Sequence, residues 1–446
     1  MNHTSVAVGT PPTVEDRTTV GAVSKVAFAS MVGTTIEFYD YFIYGAAAAL
    51  VFPKLFFSNM DPVLATVVSF ATLGVAFVTR PIGAVIFGHF GDTIGRKAML
   101  LASLLLMGLA TVAIGLLPTY EQIGIAAPLL LVALRLIQGL AVGGEWGGAT
   151  TMIVEYAPPH RRGFYGTFVQ LGNAFGVLLS TGAFALVAML PEDLFFAWGW
   201  RVPFVASLLL LSIGVFIRMR IEEPPAFKRM KEQRKEHSLP LGVVLKKYPK
   251  QVFIAAGLRV SETVIGYIAI TYVLQYTTTH LGMSREHSLT GLMFAAALAV
   301  LTFPLWGMLS DRIGRRAVFL IGALSACAFA FPLFWLLDTR NIIALYLVIA
   351  VCYSGLVGAM YGLEPAYLSE LFPTDIRYTG VSLGSQLTGI IGGMTPAIAT
   401  LLLAWADGRT WPISLFIIIC SIVTIWCTFL AGETKHRDLN QMDGWH

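Results

Sequence analysis

The sequence predicts an all-α membrane protein with twelve transmembrane helices in two pseudo-symmetric six-helix bundles. Three observations lead to this fold: the composition, twelve long apolar runs, and a motif that occurs twice. Of the 446 residues, 56% are apolar and 13% are charged, and the mean hydropathy is +0.72. A soluble domain has about 25% charged residues. These charges are too few to cover a surface in water, so lipid must cover most of it.

The apolar runs define the elements. A helix needs about 20 residues to cross a hydrocarbon core of about 30 Å, and twelve runs reach that length. They cover residues 24–51, 63–90, 97–117, 125–154, 163–190, 198–220, 251–279, 287–310, 317–337, 342–368, 377–404 and 411–431.

The runs fall into two groups of six. We expect an N-terminal bundle over 24–220 and a C-terminal bundle over 251–431. The charged linker over 221–250 either lies on anionic lipid as an amphipathic helix or is a solvated connector. Residues 1–23 lack a basic n-region and predict a disordered tail, not a signal peptide. Residues 432–446 predict a second tail.

A ten-residue motif supports two similar halves. It reads Gly-His-Phe-Gly-Asp-Thr-Ile-Gly-Arg-Lys over 88–97 and Gly-Met-Leu-Ser-Asp-Arg-Ile-Gly-Arg-Arg over 307–316, 219 residues later. Self-similarity over half a chain indicates two halves built alike. In a membrane protein it favours a transporter with its substrate site between them. In these copies, Asp92 and Asp311 are well placed to face a neighbouring helix N-terminus or a basic side chain.

A second, shorter pattern also repeats. Glu155-x-x-Pro-x-x-x-Arg162 ends the fourth run, and Glu370-x-x-Pro-x-x-x-Arg377 ends the tenth. Matching positions in both halves again indicate an internal duplication.

The distribution of basic residues predicts the orientation. Lys and Arg concentrate at 96–97, 161–162 and 312–316, whereas the intervening loops at 118–122 and 191–193 lack them. The positive-inside rule places the basic loops and both termini in the cytoplasm. The net charge of +4 reflects these loops and the linker, and it does not indicate a nucleic-acid partner.

Charged residues inside the runs are the candidates for substrate chemistry, because a charge in hydrocarbon is costly and usually functional. From the rise of about 1.5 Å per residue, Asp40 and Arg135 each lie about 15 Å below the outer face. By the same count, Arg80 and Glu145 each lie about 25–30 Å below it. We therefore pair Asp40 with Arg135, and Arg80 with Glu145, as hypotheses. Glu37 lies one turn before Asp40.

Arg259 and Glu262 form a third group, because a spacing of three places them on one helix face. An arginine stays charged and can hold a carboxylate through two hydrogen bonds, which suits an acidic substrate. A buried carboxylate near an arginine can change its protonation with its surroundings, which is the minimum for proton coupling. A structural role is the alternative for each charge, above all for Glu145, whose glycine-rich surroundings suit close helix packing.

Uncharged polar side chains in the same runs are candidates to line a substrate cavity. They are Tyr41, Tyr44, Gln138, Gln170, Asn173 and Gln386. For any one of them, a hydrogen bond between helices is favoured over a contact with a ligand.

The whole chain resembles the major facilitator superfamily and, within it, the metabolite–proton symporters. The repeated motif is similar to the signature loop that follows the second and eighth spans of that superfamily. Further segments carry the likeness, namely Glu37-Phe-Tyr-Asp40, Arg80-Pro-Ile-Gly83, Arg135-Leu-Ile-Gln-Gly139, Gly143-Gly-Glu-Trp-Gly-Gly148 and Trp198-Gly-Trp-Arg-Val-Pro-Phe204. The resemblance implies the major facilitator fold and alternating access in a bacterial inner membrane.

The resemblance also implies roles for individual residues. Asp40 and Arg135 would couple a proton to the substrate, as the matching pair does in related sugar porters, and Glu37 could assist. A cytoplasmic network would hold the inner gate shut while the site faces outward. Its members are Asp92, Arg96, Glu155, Arg162, Asp311, Arg315, Glu370 and Arg377.

The expected function is proton-coupled import of a small organic acid such as shikimate or a related carboxylate. Alternatives are a di- or tricarboxylate (2-oxoglutarate, citrate) or a zwitterion (betaine, proline), because members of the family carry each. We expect a functional monomer with no cofactor besides the coupling proton.

Other function classes are disfavoured. Drug exporters of the superfamily carry a Gly-Pro pair in the fifth span, and the fifth run here has none. The sequence contains neither a metal-ligand cluster nor a Gly-x-x-x-x-Gly-Lys-(Ser/Thr) loop, so an enzyme is not expected.

Overall fold

The computed structural model describes residues 20–93, 96–143, 145–220, 244, 246–373 and 376–437. The regular structure in these residues is helical, which confirms the predicted all-α class. The expected tails up to residue 19 and from residue 438, and the linker over 221–243, lie outside the described residues.

Twelve long helical elements, α1 to α12, follow one another along the described chain. Nine are continuous: α1 Val20–Leu50, α2 Pro62–Thr93, α3 Arg96–Leu116, α5 Arg162–Ala188, α6 Val202–Arg220, α8 Arg285–Ile313, α9 Arg315–Asp338, α11 Arg377–Trp405 and α12 Trp411–Ala431. Short helices at Phe52–Leu55, Tyr120–Ile123 and Glu192–Ala197 lie in the loops.

The other three elements are interrupted. α4 consists of Ala126–Val142 and Glu145–Tyr156. α7 consists of Pro249–Tyr267, Ile268–Tyr272, Val273–Gln275 and Tyr276–His280, of which the second and fourth are π-helical. α10 consists of Ile342–Ala350, the π-helical Val351–Val357, Gly358–Tyr361 and Glu364–Ser369. π-Helical turns inside α-helices occur frequently at functional sites.

The two halves pack in the same way. In the first half α1 packs on α5, α2 on α4, and α3 on α6; in the second, α7 packs on α11, α8 on α10, and α9 on α12. Across the halves, α5 packs along α8 and α2 along α11. Each contact has its counterpart six helices later, so the structure confirms two pseudo-symmetric six-helix bundles.

The outer faces are those of a membrane protein. Ten helical stretches of the described chain are long and apolar enough to cross a membrane, and α3 contributes the shorter apolar stretch Leu101–Leu116. Large apolar side chains point away from the bundle, including Leu186, Ile343 and Trp405, which are 71–76% exposed. Contiguous apolar surface of this kind requires lipid around it.

Glycines bring α2 and α4 into backbone contact. A Cβ atom on Gly83 would overlap the backbone carbonyl of Leu140, and one on Gly139 would overlap the carbonyl of Ala76. Small residues allow such close approach between membrane helices. This packing fixes α2 and α4 relative to each other, and with them Arg80 and Arg135.

We expect Gly83→Ala to destabilise the protein by about 1–3 kcal/mol, because overpacked interfaces must shift their backbones. The measurement is the thermal midpoint of the purified protein in detergent. Gly355→Ala is the matched control, since a Cβ there meets no heavy atom within 4 Å. Equal midpoints for the two variants would contradict the packing argument.

Candidate functional site

A central cavity of about 100 Å³ lies between the two halves. Its walls come from α1, α2, α4 and α5 on one side and from α7, α10 and α11 on the other. Arg80 faces it from the first half and Arg259 from the second. The π-helical turns of α7 and α10 contribute Ile270, Tyr353 and Val357 to its lining.

Aromatic side chains form much of this cavity. They include Phe38, Tyr41, Phe42, Phe77, Trp146, Tyr267, Tyr353 and Tyr361. The Arg80 guanidinium lies over the Phe77 ring at 4.2 Å and near the Tyr41 ring at 5.7 Å. Cation–π contacts hold the guanidinium in the cavity wall without neutralising its charge.

A second, smaller cavity of about 20 Å³ adjoins the first within the N-terminal half. Glu37, Tyr41 and Arg80 line both cavities, while Asp40, Arg135 and Gln138 line the smaller one. The site therefore has two compartments. Arg135 and Gln138, predicted to bind substrate, lie in the inner one.

A chain of hydrogen bonds links Asp40 to Arg135. The Thr111 hydroxyl donates to Asp40 Oδ2 at 3.0 Å and accepts from Gln138 Nε2 at 2.7 Å. Gln138 Oε1 in turn accepts from Arg135 Nη1 at 2.9 Å. All four residues are at most 4% exposed.

This bridge corrects the predicted direct pairing of Asp40 with Arg135. Within the described part of the chain, these two side chains make no ion pair, because Thr111 and Gln138 stand between them. The Arg135 guanidinium lies over the rings of Tyr44 at 4.1 Å and Tyr41 at 4.8 Å. Sequence reasoning did not identify Thr111, because a lone threonine in an apolar helix carries no distinguishing signal.

The C-terminal half contributes an arginine between two carboxylates. Arg259 Nε lies 3.4 Å from Glu262 Oε1, as the spacing of three predicted, and 3.1 Å from Glu364 Oε2. The Thr263 hydroxyl donates to Glu262 Oε1 at 2.6 Å. Trp146 of the other half lies under the Arg259 guanidinium at 4.8 Å.

Glu364 was not among the predicted site residues, although its carboxylate is fully buried. The signal that could have identified it was present, because an acidic residue inside a membrane span is a functional candidate by default. Glu364 lies nearer the inner end of the tenth apolar run, and this position gave no indication of its closeness to Arg259, which lies on a different helix.

Several predicted cavity residues form hydrogen bonds between the halves. Asn173 Oδ1 accepts from the Tyr353 hydroxyl at 2.6 Å, and Gln170 Nε2 donates to the Tyr361 carbonyl at 2.9 Å. The Tyr267 hydroxyl donates to that of Tyr41 at 2.6 Å.

The six polar candidates are therefore divided between the cavities and the surrounding packing. Tyr41, Asn173 and Gln386 line the central cavity. Tyr44 and Gln170 line neither cavity: Tyr44 bonds to Thr72, and Gln170 is held by Trp146 and Tyr361.

The end of the bundle that carries residues 88–97 and 307–316, here called the motif end, joins the halves. Asp311 accepts hydrogen bonds at 2.8 Å from the backbone amides of Gly163 and Phe164, in the first turn of α5. Asp311 also pairs with Arg315 at 2.7 Å. A carboxylate at a helix N-terminus satisfies free amides and the helix dipole, as the sequence predicted for this residue.

A second link at the motif end is the ion pair between Arg377 and Glu155 at 2.7 Å. Glu155 pairs across the halves, and Arg315 pairs within its own half with Glu370 at 3.4 Å. Burial raises the pKa of Glu370, and the Arg315 guanidinium opposes that rise.

The segment after α12 completes this end. Glu433 accepts from the backbone amides of Arg315 and Arg316, which begin α9. The Thr434 hydroxyl donates to Glu370 at 2.5 Å, and Arg162 Nη1 donates to the Arg437 carbonyl at 3.0 Å. The side chains of Asp92 and Arg96, also predicted to gate, lie outside the described residues, as does that of Glu145.

Contacts also join the halves at the opposite end. Arg285, which begins α8, donates to the carbonyls of Ala188 and Leu190 and lies over the Phe195 ring at 4.1 Å. Closer to the cavity, α1 and α7 touch where Gly45 meets Thr271. The central cavity therefore lies between two ends at which the halves are in contact.

Comparisons with known proteins agree with this architecture. The sequence model of the Major Facilitator Superfamily matches residues 30–396 and 266–443. The chain is 39% identical to the inner membrane metabolite transport protein YhjE of Escherichia coli, over 95% of this chain and 98% of the relative. It is 35% identical to the shikimate transporter of Escherichia coli, over 97% of this chain and 99% of the relative.

A solved structure supports the same fold. The crystal structure of D-xylose-proton symporter superimposes with a TM-score of 0.69 at 19% identity, covering 92% of this chain and 98% of that one. These similarities confirm the predicted fold and a transporter in place of an enzyme.

At the motif end, we expect Asp311→Asn to favour opening. The substitution removes the charge from two hydrogen bonds and an ion pair, and a bond to a charged group contributes about 1.5–3 kcal/mol. A loss of about 1.4 kcal/mol raises the open population about tenfold. The measurement is the rate at which a maleimide, added from the motif end, labels Ser385→Cys in a chain without its four native cysteines.

Asp61→Asn is the matched control, because Asp61 also accepts from amides at the start of a helix, α2, but lies at the opposite end. Labelling should stay at the parental rate in this control. An equally unchanged rate in Asp311→Asn would show that the cap does not hold the motif end closed.

Proposed function

The chain belongs to the Major Facilitator Superfamily and is a multi-pass inner membrane transporter, and from that premise we propose that it imports a small organic acid together with protons. The substrate class is an acid such as shikimate or a related carboxylate. The observation that carries the proposal is the division of the site into two compartments. Arginines face the cavity between the halves, and a buried aspartate is bridged to an arginine beside it.

The central cavity suits an anion. Arg80 and Arg259 face it from opposite halves, so one carboxylate-bearing molecule can contact both. A substrate that contacts both halves stabilises the state in which the halves close around it. In alternating access, this closure precedes opening to the other side of the membrane. The name of the shikimate transporter, 35% identical to this chain, supports an acidic, hydroxylated substrate.

The inner compartment suits a proton. Ionised Asp40 accepts a hydrogen bond from the Thr111 hydroxyl, and protonation removes the charge that strengthens this bond. The Thr111 hydroxyl can then donate to the Met107 carbonyl at 3.1 Å, which loosens the chain from Asp40 through Thr111 and Gln138 to Arg135 Nη1. Protonation of Asp40 thereby frees the Arg135 guanidinium to attract a substrate carboxylate in the central cavity. Tyr41 and Arg80, which line both cavities, lie between the two. Glu37, which lines both compartments, is placed to pass protons between them.

The orientation follows from the loop charges. The motif end carries the basic loops, so the positive-inside rule places it in the cytoplasm together with both termini. The Asp311 and Glu155 contacts then form the inner gate, and the Arg285 contacts form the outer one.

A zwitterion such as betaine or proline is the second candidate, and one observation favours it. Glu262 and Glu364 both contact Arg259, Glu262 lines the central cavity, and aromatic rings line the same cavity. Carboxylates and aromatic faces both attract a cationic group.

The proposal is tested by uptake of labelled shikimate, 2-oxoglutarate, citrate and betaine into proteoliposomes with and without an inward proton gradient. We expect gradient-driven accumulation of an acid by the parent chain. Asp40→Asn should abolish that accumulation while substrate exchange without a gradient continues, because only the proton acceptor is lost. Full proton-driven accumulation in Asp40→Asn would overturn the assignment.

For substrate binding, we expect Arg80→Gln and Arg259→Gln each to raise the KM for the acid about 10- to 100-fold, since each removes a charged hydrogen-bond donor worth about 1.5–3 kcal/mol. The measurement is the concentration dependence of initial uptake. Arg409→Gln, on an exposed loop at the opposite end, is the control. An unchanged KM in both cavity variants would exclude the central cavity as the anion site.

A further inference from the structure

The group around Arg259 carries one more acid than base. Glu262 and Glu364 both contact the same Arg259 nitrogen, Nε, so their carboxylates lie near each other. Glu262 is 4% exposed and Glu364 is fully buried. Within the described residues, neither Glu364 oxygen has a hydrogen-bond partner.

Among the described residues, the surrounding helices place no second cation in contact with these two carboxylates. α4 presents the Trp146 ring, α10 presents Tyr353 and Tyr361, and α11 presents the Ser385 carbonyl and Gln386. α12 contributes the hydroxyls of Ser421 and Thr424, which bond to Ser261 and to α7 backbone atoms.

Other charged groups face the cavity from the first half. Arg80 is held against Phe77, and Glu37 lines the same cavity. Glu145 begins the second segment of α4, and its side chain is outside the described residues. Arg259 is the cation that the structure shows in contact with the carboxylates.

Two ionised carboxylates beside one guanidinium would leave a net negative charge in a low-dielectric interior, which is costly. Two acids that share a site rarely both ionise, and one proton then belongs to the pair. The hydrogen bond from Thr263 stabilises the charged form of Glu262. Arg259 Nε lies 3.1 Å from Glu364 and 3.4 Å from Glu262, but it donates its hydrogen bond to Glu262. Since neither oxygen of Glu364 accepts a hydrogen bond from the described residues, its carboxyl is the better place for the proton.

We propose that Glu262 and Glu364 share one proton and form a second proton-binding site, in the C-terminal half. This inference rests on the proposed function, because it adds a proton site to the same transport cavity. The proton resides mainly on Glu364, and Glu262 pairs with Arg259. Asp40 holds the other proton site, in the N-terminal half, at a separate compartment.

The shared proton bears on the substrate class. With one proton on the pair, the Arg259 group is neutral and presents no net negative charge to a substrate anion. An acid is then favoured over a zwitterion, whose cationic group would need an ionised pair.

Infrared spectroscopy of the purified full chain in lipid at neutral pH tests the inference, because a protonated carboxyl has its own carbonyl stretching band that shifts in heavy water. We expect the band of the pair in the parent chain and its loss in Glu364→Gln. It should also be lost in Glu262→Gln, since the single remaining acid then ionises against Arg259. Glu192→Gln, an exposed acid paired with Lys54, should leave the spectrum unchanged.

Loss in both variants is the signature of a shared proton. Retention of the band in Glu262→Gln would mean that Glu364 is protonated alone, and retention in both would mean that the pair is ionised; either result overturns the proposal. If Glu364→Gln does not fold, Glu262→Gln decides between these outcomes; if Glu262→Gln does not fold, Glu262→Ala takes its place. Measuring uptake by Asp40→Asn separately tests the proposed function, because the band of the pair should persist in that variant whether or not transport is coupled.

Discussion

The cost of burying charge in hydrocarbon is the constraint on which this structure depends. Five helices contribute ionisable groups to the space between and beside the halves, and each group must find a compensating neighbour. Arg135 is held by Gln138 and by two aromatic rings, and Arg259 is held by two carboxylates. These contacts fix the helices around the site. A proton or a substrate can nevertheless take the place of one charged partner in them.

The two halves share a framework and differ in chemistry. The helix pairings of the first half recur in the second, six elements later. The first half nevertheless separates its acid from its arginine with a hydroxyl and an amide, whereas the second places two acids directly on one arginine. A symmetric scaffold allows both halves to rock about one cavity, and the asymmetric charges give each half a different response to protons.

Closure uses backbone groups as much as side-chain pairs. Asp311 caps the first turn of α5, and Arg285 donates to carbonyls at the last turn of the same helix. Free amides and carbonyls concentrate at helix ends, so the two ends of α5 supply ready partners for α8. One helix pair therefore carries contacts at both gates, and α5 and α8 are placed to couple the opening of one end to the closing of the other.

Local patterns in the sequence determined the twelve helices, their division into two similar halves and most of the ionisable site residues, because hydropathy, repeat spacing and buried charge are readable along one chain. Arg259 with Glu262 was predictable, since a spacing of three sets the geometry within a helix. Contacts between helices were decided by the tertiary structure alone. Each residue turns about 100° around its helix axis, so equal depth did not establish that Asp40 meets Arg135, and Thr111 and Gln138 lie between them. Membrane depth likewise did not predict the contact between Glu364 and Arg259, because that contact depends on how α10 packs and rotates against α7.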